Sequence, residues 1–155
     1  MFLLLSLFFA VQPAKTISTI EVPAGSDPAL SIPIVTVTGA KPGPTLALVS
    51  GAHGTEYASI IALEKVLARI DPTELSGTVI IVPLININSF EKKVPHVNPV
   101  DNKSMNRFYP GRLDGTQTER AAYMITQEVV DKCDYLVDLP GGDADESRRP
   151  YSSRT

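Results

Sequence analysis

The sequence predicts an α/β fold built on a central sheet, and three features carry that expectation. A short apolar run, Leu46 to Val49, leads through a glycine-bearing turn into a helical pattern and then a second apolar run, the order of a βαβ unit. Two stretches rich in Ile, Val and Thr come before it, separated by turn residues, as in a hairpin feeding the sheet. A third apolar strand, Tyr135-Leu136-Val137, follows a second helical pattern.

The elements follow in order. Phe2 to Val11 is an apolar stretch of signal-peptide length, too short to span a bilayer as a helix. No Lys or Arg precedes it and no clean small-x-small cleavage site follows. Two expectations stand: residues 1–14 are an export signal that sends the chain to the periplasm or outside the cell, or they form a buried first strand of a cytoplasmic protein. The absence of strand-like alternation favours the signal. Thr16 to Val22 and Ser31 to Thr38 read as strands, joined by the turn Pro23 to Pro28. Gly39 to Pro44 reads as another turn. Leu46 to Val49 is the continuous apolar run of a strand covered on both faces.

After that strand, Ile60, Leu63, Leu67 and Ile70 recur at helical spacing, with Glu64, Lys65 and Arg69 as the wetter positions. Pro72 ends the helix. Thr78 to Ile85 is the second buried strand, reached by a crossover of right-handed expectation. Asn86 to Gly115 is long and irregular, with Pro95, Pro99 and Pro110, a length that marks functional or disordered loops. Thr116 and Glu119 have the spacing of a capping box. The helix it opens runs to about Lys132, with Ala122, Ile125 and Val129 on one face. Tyr135-Leu136-Val137 reads as a third buried strand, and Asp138 sits at its carboxyl end.

Composition bounds the function. A hydrophobic share of 43% against 20% charged residues fits one globular domain in 155 residues. The net charge of -3 comes from 14 basic and 17 acidic residues with no basic block, which argues against nucleic acid or an anionic membrane surface as partner. The lone Cys133 excludes an internal disulfide and reads as a small buried apolar residue.

The chemistry centres on Gly51-Ala52-His53-Gly54-Thr55-Glu56, where a strand ends and a helix begins, the edge at which open α/β sheets form sites. His53 is the first of two histidines. Glu56, three residues on, can reach the same point, so the pair reads as a zinc half-site. The other reading is a helix start with an acid in its first turn. Asn106-Arg107 lies in the long loop. A guanidinium fork beside an amide donor suits a carboxylate, while a surface Arg and a turn Asn is the plain alternative. His96, in the same loop, is either a spare metal donor or a solvated histidine.

Three motifs in order, Gly51-Ala52-His53-Gly54-Thr55-Glu56, Met105-Asn106-Arg107 and Tyr135-Leu136-Val137-Asp138-Leu139-Pro140-Gly141-Gly142-Asp143, resemble the succinylglutamate desuccinylase/aspartoacylase family, a branch of the zinc carboxypeptidase superfamily. The resemblance runs from about Val22 to Tyr151. It implies a three-layer fold, a mixed, mostly parallel sheet with helices on both faces. It also implies a zinc-dependent hydrolase that cleaves an amide or ester bond of a small carboxylate-bearing substrate. His53 and Glu56 match the family's metal ligands, and Asn106 and Arg107 its carboxylate-binding dipeptide. The third ligand is a histidine in the family pattern Asp-Leu-His-Gly-Gly-Asp, and here that position is Pro140, which has no donor atom. The family's catalytic glutamate lies past Thr155, and Asp143, Asp145 and Glu146 do not match it, so the chain reads as the N-terminal portion, C-terminally truncated. Two alternatives follow: a truncated or degenerate non-catalytic homologue, and a metallocarboxypeptidase acting on peptides.

Overall fold

The structure, a computed structural model, describes residues 12–142. Most of the segment read as an export signal therefore lies outside the described residues, and so do Asp143, Asp145 and Glu146. Ala14, the last residue of that segment, opens the first strand.

Five strands form one sheet: β1 (Ala14–Val22), β2 (Leu30–Thr38), β3 (Lys41–Ser50), β4 (Ser76–Val82) and β5 (Tyr135–Leu139). Their order is β1-β2-β4-β3-β5. β1 and β2 form the expected hairpin, β2 is antiparallel to β4, and β3 is parallel to both β4 and β5. Only β2 opposes the common direction, so the sheet is mixed and mostly parallel. Its helices are α1 (Tyr57–Arg69), α2 (Ile87–Lys92) and α3 (Gln117–Glu128).

The middle strands are apolar on both faces because both are covered. On one side Val79 and Ile81 of β4 pack with Val35 and Val37 of β2 and with Leu63 of α1. On the other, Ile80 and Val82 join Ala47, Val49 and the α3 residues Ala121, Ala122 and Ile125. Side chains that alternate across the sheet thus each meet a helix.

Local sequence explains the ends. Thr116 and Glu119 form the full capping box at the start of α3. α3 stops at Glu128 and a short 3₁₀ turn, Val130–Lys132, completes the stretch read as one helix.

Three expectations are corrected. Lys41 to Pro44, read as turn, is the irregular start of β3, where the pairing register shifts between Lys41 and Thr45. The prolines fit there because that end of the strand is exposed. The stretch from Asn86 to Gly115 is less irregular than read, since it holds α2 and a 3₁₀ turn at Met105–Arg107. Finally, Tyr135, Leu136 and Val137 are not buried: they are 64%, 45% and 45% exposed. β5 is the last strand of the sheet, and among the described residues no further strand pairs with its outer edge.

Candidate functional site

β3, β4 and β5 run the same way, and their carboxyl ends meet at one edge. The chain reaches β4 on one side of β3 through α1 and β5 on the other side through α3. The crevice beyond β3 is therefore a topological switch point, the place where ligands sit in open α/β sheets.

The turn after β3 is shaped by two glycines. Gly51 has φ +68°, a conformation that side chains rarely adopt. Gly54 lies so close to α2 that a Cβ there would come within 2.1 Å of the Phe90 nitrogen. Asn86 caps α2 by accepting from the Ser89 amide (3.2 Å), and its own amide donates to the Ala52 carbonyl (3.2 Å). Ser89 Oγ accepts from the Gly54 N–H (2.9 Å).

This turn presents His53. Its Nδ1 lies 3.4 Å from Glu56 Oε1, and Glu56 is only 3% exposed at the threshold of α1. On the other side of the ring, Nε2 lies 3.4 Å from both Ser104 Oγ and Asn106 Nδ2. The His96 ring stands edge-on to His53 with centroids 5.3 Å apart. His96 itself is exposed, with φ +65°.

Asn106 and Arg107 belong to the 3₁₀ turn, which leaves both exposed while Met105 is buried beneath them. Among the described residues the Arg107 guanidinium makes no ion pair or hydrogen bond that would occupy its fork. The loop that carries it is held from below by the start of α3. Gln117 Oε1 accepts from Asn88 (2.7 Å) and Asn98 (2.9 Å), and Asp101 accepts from the Thr118 N–H (2.8 Å) and hydroxyl (2.8 Å). Lys103 (2.7 Å) and Arg112 (2.9 Å) both donate to the Glu119 carboxylate. Lys103 first, then the Thr116 backbone, hold the Glu119 carboxyl far below the usual range, at about 2.

The third corner is different. A Cβ on Gly141 would lie 3.1 Å from Glu56 Cβ, so the segment after β5 passes directly beside Glu56. Residue 140 therefore arrives at the right corner, but as an exposed proline. Asp138, on the exposed strand, is one of the residues lining a 460 Å³ apolar cavity that also touches Ala52, Asn106 and Tyr109. Desolvation raises its pKa, Glu56 adds to that, and His53 opposes it.

Two donors about 2 Å from a tetrahedral ion stand roughly 3.3 Å apart. The 3.4 Å between His53 Nδ1 and Glu56 Oε1 fits that separation. The third position does not fit, since proline offers no lone pair. Among the described residues no three His, Cys, Asp or Glu side chains converge as a metal cage. The residues present thus fit two ligands of a three-ligand site.

Of the residues singled out from sequence, His53, Glu56 and Asn106 come together, and Arg107 stands beside them. Cys133 lies elsewhere, half-buried against the core. Sequence reading missed Asn86, Ser89 and Ser104. Asn86 carried a usable signal, a helix-capping residue directly after an apolar strand.

Comparison with known proteins gives a consistent result. Residues 42–145 match the family model described as succinylglutamate desuccinylase/aspartoacylase catalytic domain. The chain is 39% identical over 114 residues to an N-alpha-acetyl-L-2,4-diaminobutyric acid deacetylase of Halomonas elongata, covering 74% of the chain and 33% of that relative. Among solved structures it resembles an aspartoacylase family protein of Mesorhizobium loti (TM-score 0.77, 31% identity, 86% of this chain and 42% of that one). It also resembles a product-bound ectoine utilization protein of Ruegeria pomeroyi (TM-score 0.72, 28% identity, 85% of this chain and 41% of that one). The chain thus spans about a third to two fifths of these relatives.

Proposed function

The chain belongs to the succinylglutamate desuccinylase/aspartoacylase family, whose hydrolases act on amide bonds, and on that premise we propose that it forms the substrate-binding part of such a hydrolase, directed at a small carboxylate-bearing amide. The observation that supports this most is the gathering of His53, Glu56 and Asn106 at the carboxyl edge of β3, with the unengaged Arg107 fork beside them.

An N-acylated amino acid carries the matching groups: a carboxylate for Arg107 and an amide for the His53 corner. Arg107 would take the carboxylate through paired N–H donors, and Asn106 would add a neutral donor and orient the substrate against His53. His53 and Glu56 would hold a zinc ion. Bound there, zinc supplies Lewis-acid polarisation of a carbonyl and activation of water. Pro140 leaves that hold one ligand short.

The test is calorimetric binding of an N-acetylated amino acid to the intact chain. Arg107→Ala is expected to weaken it by on the order of 10-fold or more, the loss of a charge-assisted pair of about 1.5–3 kcal/mol, with Arg107→Lys intermediate. Unchanged binding in Arg107→Ala would sink the reading.

Pro140 favours a second reading, a homologue that keeps the carboxylate pocket without catalysis. Hydrolysis of any N-acylated amino acid by the unaltered chain would remove it.

A further inference from the structure

We infer that Asn86 and Ser89 are positioning residues for His53. They take hold of the peptide groups on either side of it. The Asn86 amide donates to the carbonyl of Ala52 (3.2 Å), just before His53, and Ser89 Oγ accepts from the N–H of Gly54 (2.9 Å), just after. Both side chains are buried, at 2% and 0% exposure. Two backbone bonds from the same strand-to-helix connection continue the hold upstream, Ile85 N–H to Ser50 O (3.3 Å) and Asn86 N–H to Gly51 O (2.9 Å). Downstream, the Glu56 N–H returns to the His53 carbonyl (3.2 Å).

The arrangement uses each group twice. Asn86 Oδ1 caps α2 while Asn86 Nδ2 reaches Ala52. Ser89 Oγ donates to Val94 O (2.6 Å), which fixes its lone pair toward Gly54. A capping residue needs only the acceptor, so the second bond of Asn86 serves the turn and not the helix. Glu56, by contrast, is placed by α1, on the other face of the sheet from α3. The 3.4 Å between Nδ1 and Oε1 is therefore set by two separate elements, and the α2 clamp supplies one of them. Groups behind a metal-ligating histidine orient it, and here the hold is on the peptide groups to either side of the ring.

The inference rests on the functional reading above only for what His53 is positioned to do. Its test is amide exchange and ring contacts by NMR on the full chain. In the unaltered protein the Gly54 amide should exchange as slowly as the amides of β3. Rapid, loop-like exchange there would overturn the clamp without any variant. Asn86→Ser keeps a capping oxygen and loses the amide donor. It should leave Ser89 and Phe90 amides protected while the His53–His96 ring contact weakens and Gly54 exchange rises at least 10-fold. Ser89→Ala should reproduce the Gly54 effect. If Asn86→Ser lowers the melting temperature and leaves His53 ring contacts and Gly54 exchange unchanged, Asn86 is a helix cap only and the inference fails. A zinc titration of the unaltered chain, run alongside, bears on the functional reading alone. Absence of zinc binding there with the NMR results as expected would leave the clamp standing.

Discussion

The two flanks of the candidate site are built unequally. On the α3 flank, the loop carrying Asn106 and Arg107 rests on buried side chains. Gln117, Thr118, Glu119 and Arg120 are all under one tenth exposed, and each binds a different part of the loops beneath the site. On the β5 flank, Tyr135, Leu136 and Val137 stand exposed, and the chain delivers Pro140 to the corner beside Glu56. The groups that would recognise a carboxylate are held by many bonds. The group that would complete a metal site is missing from the segment that follows this exposed strand. On the proposed function, carboxylate recognition and metal binding would rest on separate flanks, and mutations on the two should behave differently.

The largest effect is expected at Arg120. Its guanidinium is 1% exposed and donates to the carbonyls of Pro23, Gly115 and Asp27, tying the β1–β2 turn to α3. Arg120→Met leaves those carbonyls without donors and should cost about 3–5 kcal/mol, read as a shift of the urea midpoint. A loss under about 1 kcal/mol would show that the flank is less tightly built than the bonds imply.

Glu119 is next and adds a pH signature. Its folded carboxyl sits at about 2, below the ordinary 4.5. The folded state therefore binds that proton less readily than the unfolded one. Its contribution is complete above about pH 4.5 and is lost as pH falls toward 2. Glu119→Gln should lower stability at pH 6 and flatten the decline between pH 5 and 3. Equal slopes in the two proteins would contradict the Lys103 and Arg112 assignment.

Thr116→Ala removes half of the capping box and should cost about 1 kcal/mol, visible as a lower thermal midpoint. The smallest effect belongs to the other flank. Val137→Thr, at 45% exposure, should change stability by no more than about 0.5 kcal/mol. A cost of 2 kcal/mol there would mean that β5 is covered in solution and would erase the contrast.

Much of this was legible in the sequence, for physical reasons that differ by region. The βαβ unit showed because β3 and β4 are covered on both faces, which demands continuous apolar runs at Leu46–Val49 and Val79–Val82. The α3 start showed because a capping box is a local signal. β5 looked the same by composition but is the outermost strand among the described residues, and no local pattern separates an outer strand from a central one. The His53–Glu56 pair was readable from spacing, and the turn in which it sits was readable from glycines. The clamp by Asn86 and Ser89 was not. It joins residues more than thirty positions apart, and only the parallel alignment of β3 with β4 brings them together.

On the proposed function, carboxylate recognition survives in this chain while the metal site lacks its third ligand. Calorimetric titration of zinc into the unaltered chain and into Pro140→His tests it most directly. Weak binding to the unaltered chain is expected, with binding tighter by on the order of 100-fold in Pro140→His, about 2.7 kcal/mol from one added imidazole ligand. Tight, stoichiometric binding that is the same in both proteins would contradict it.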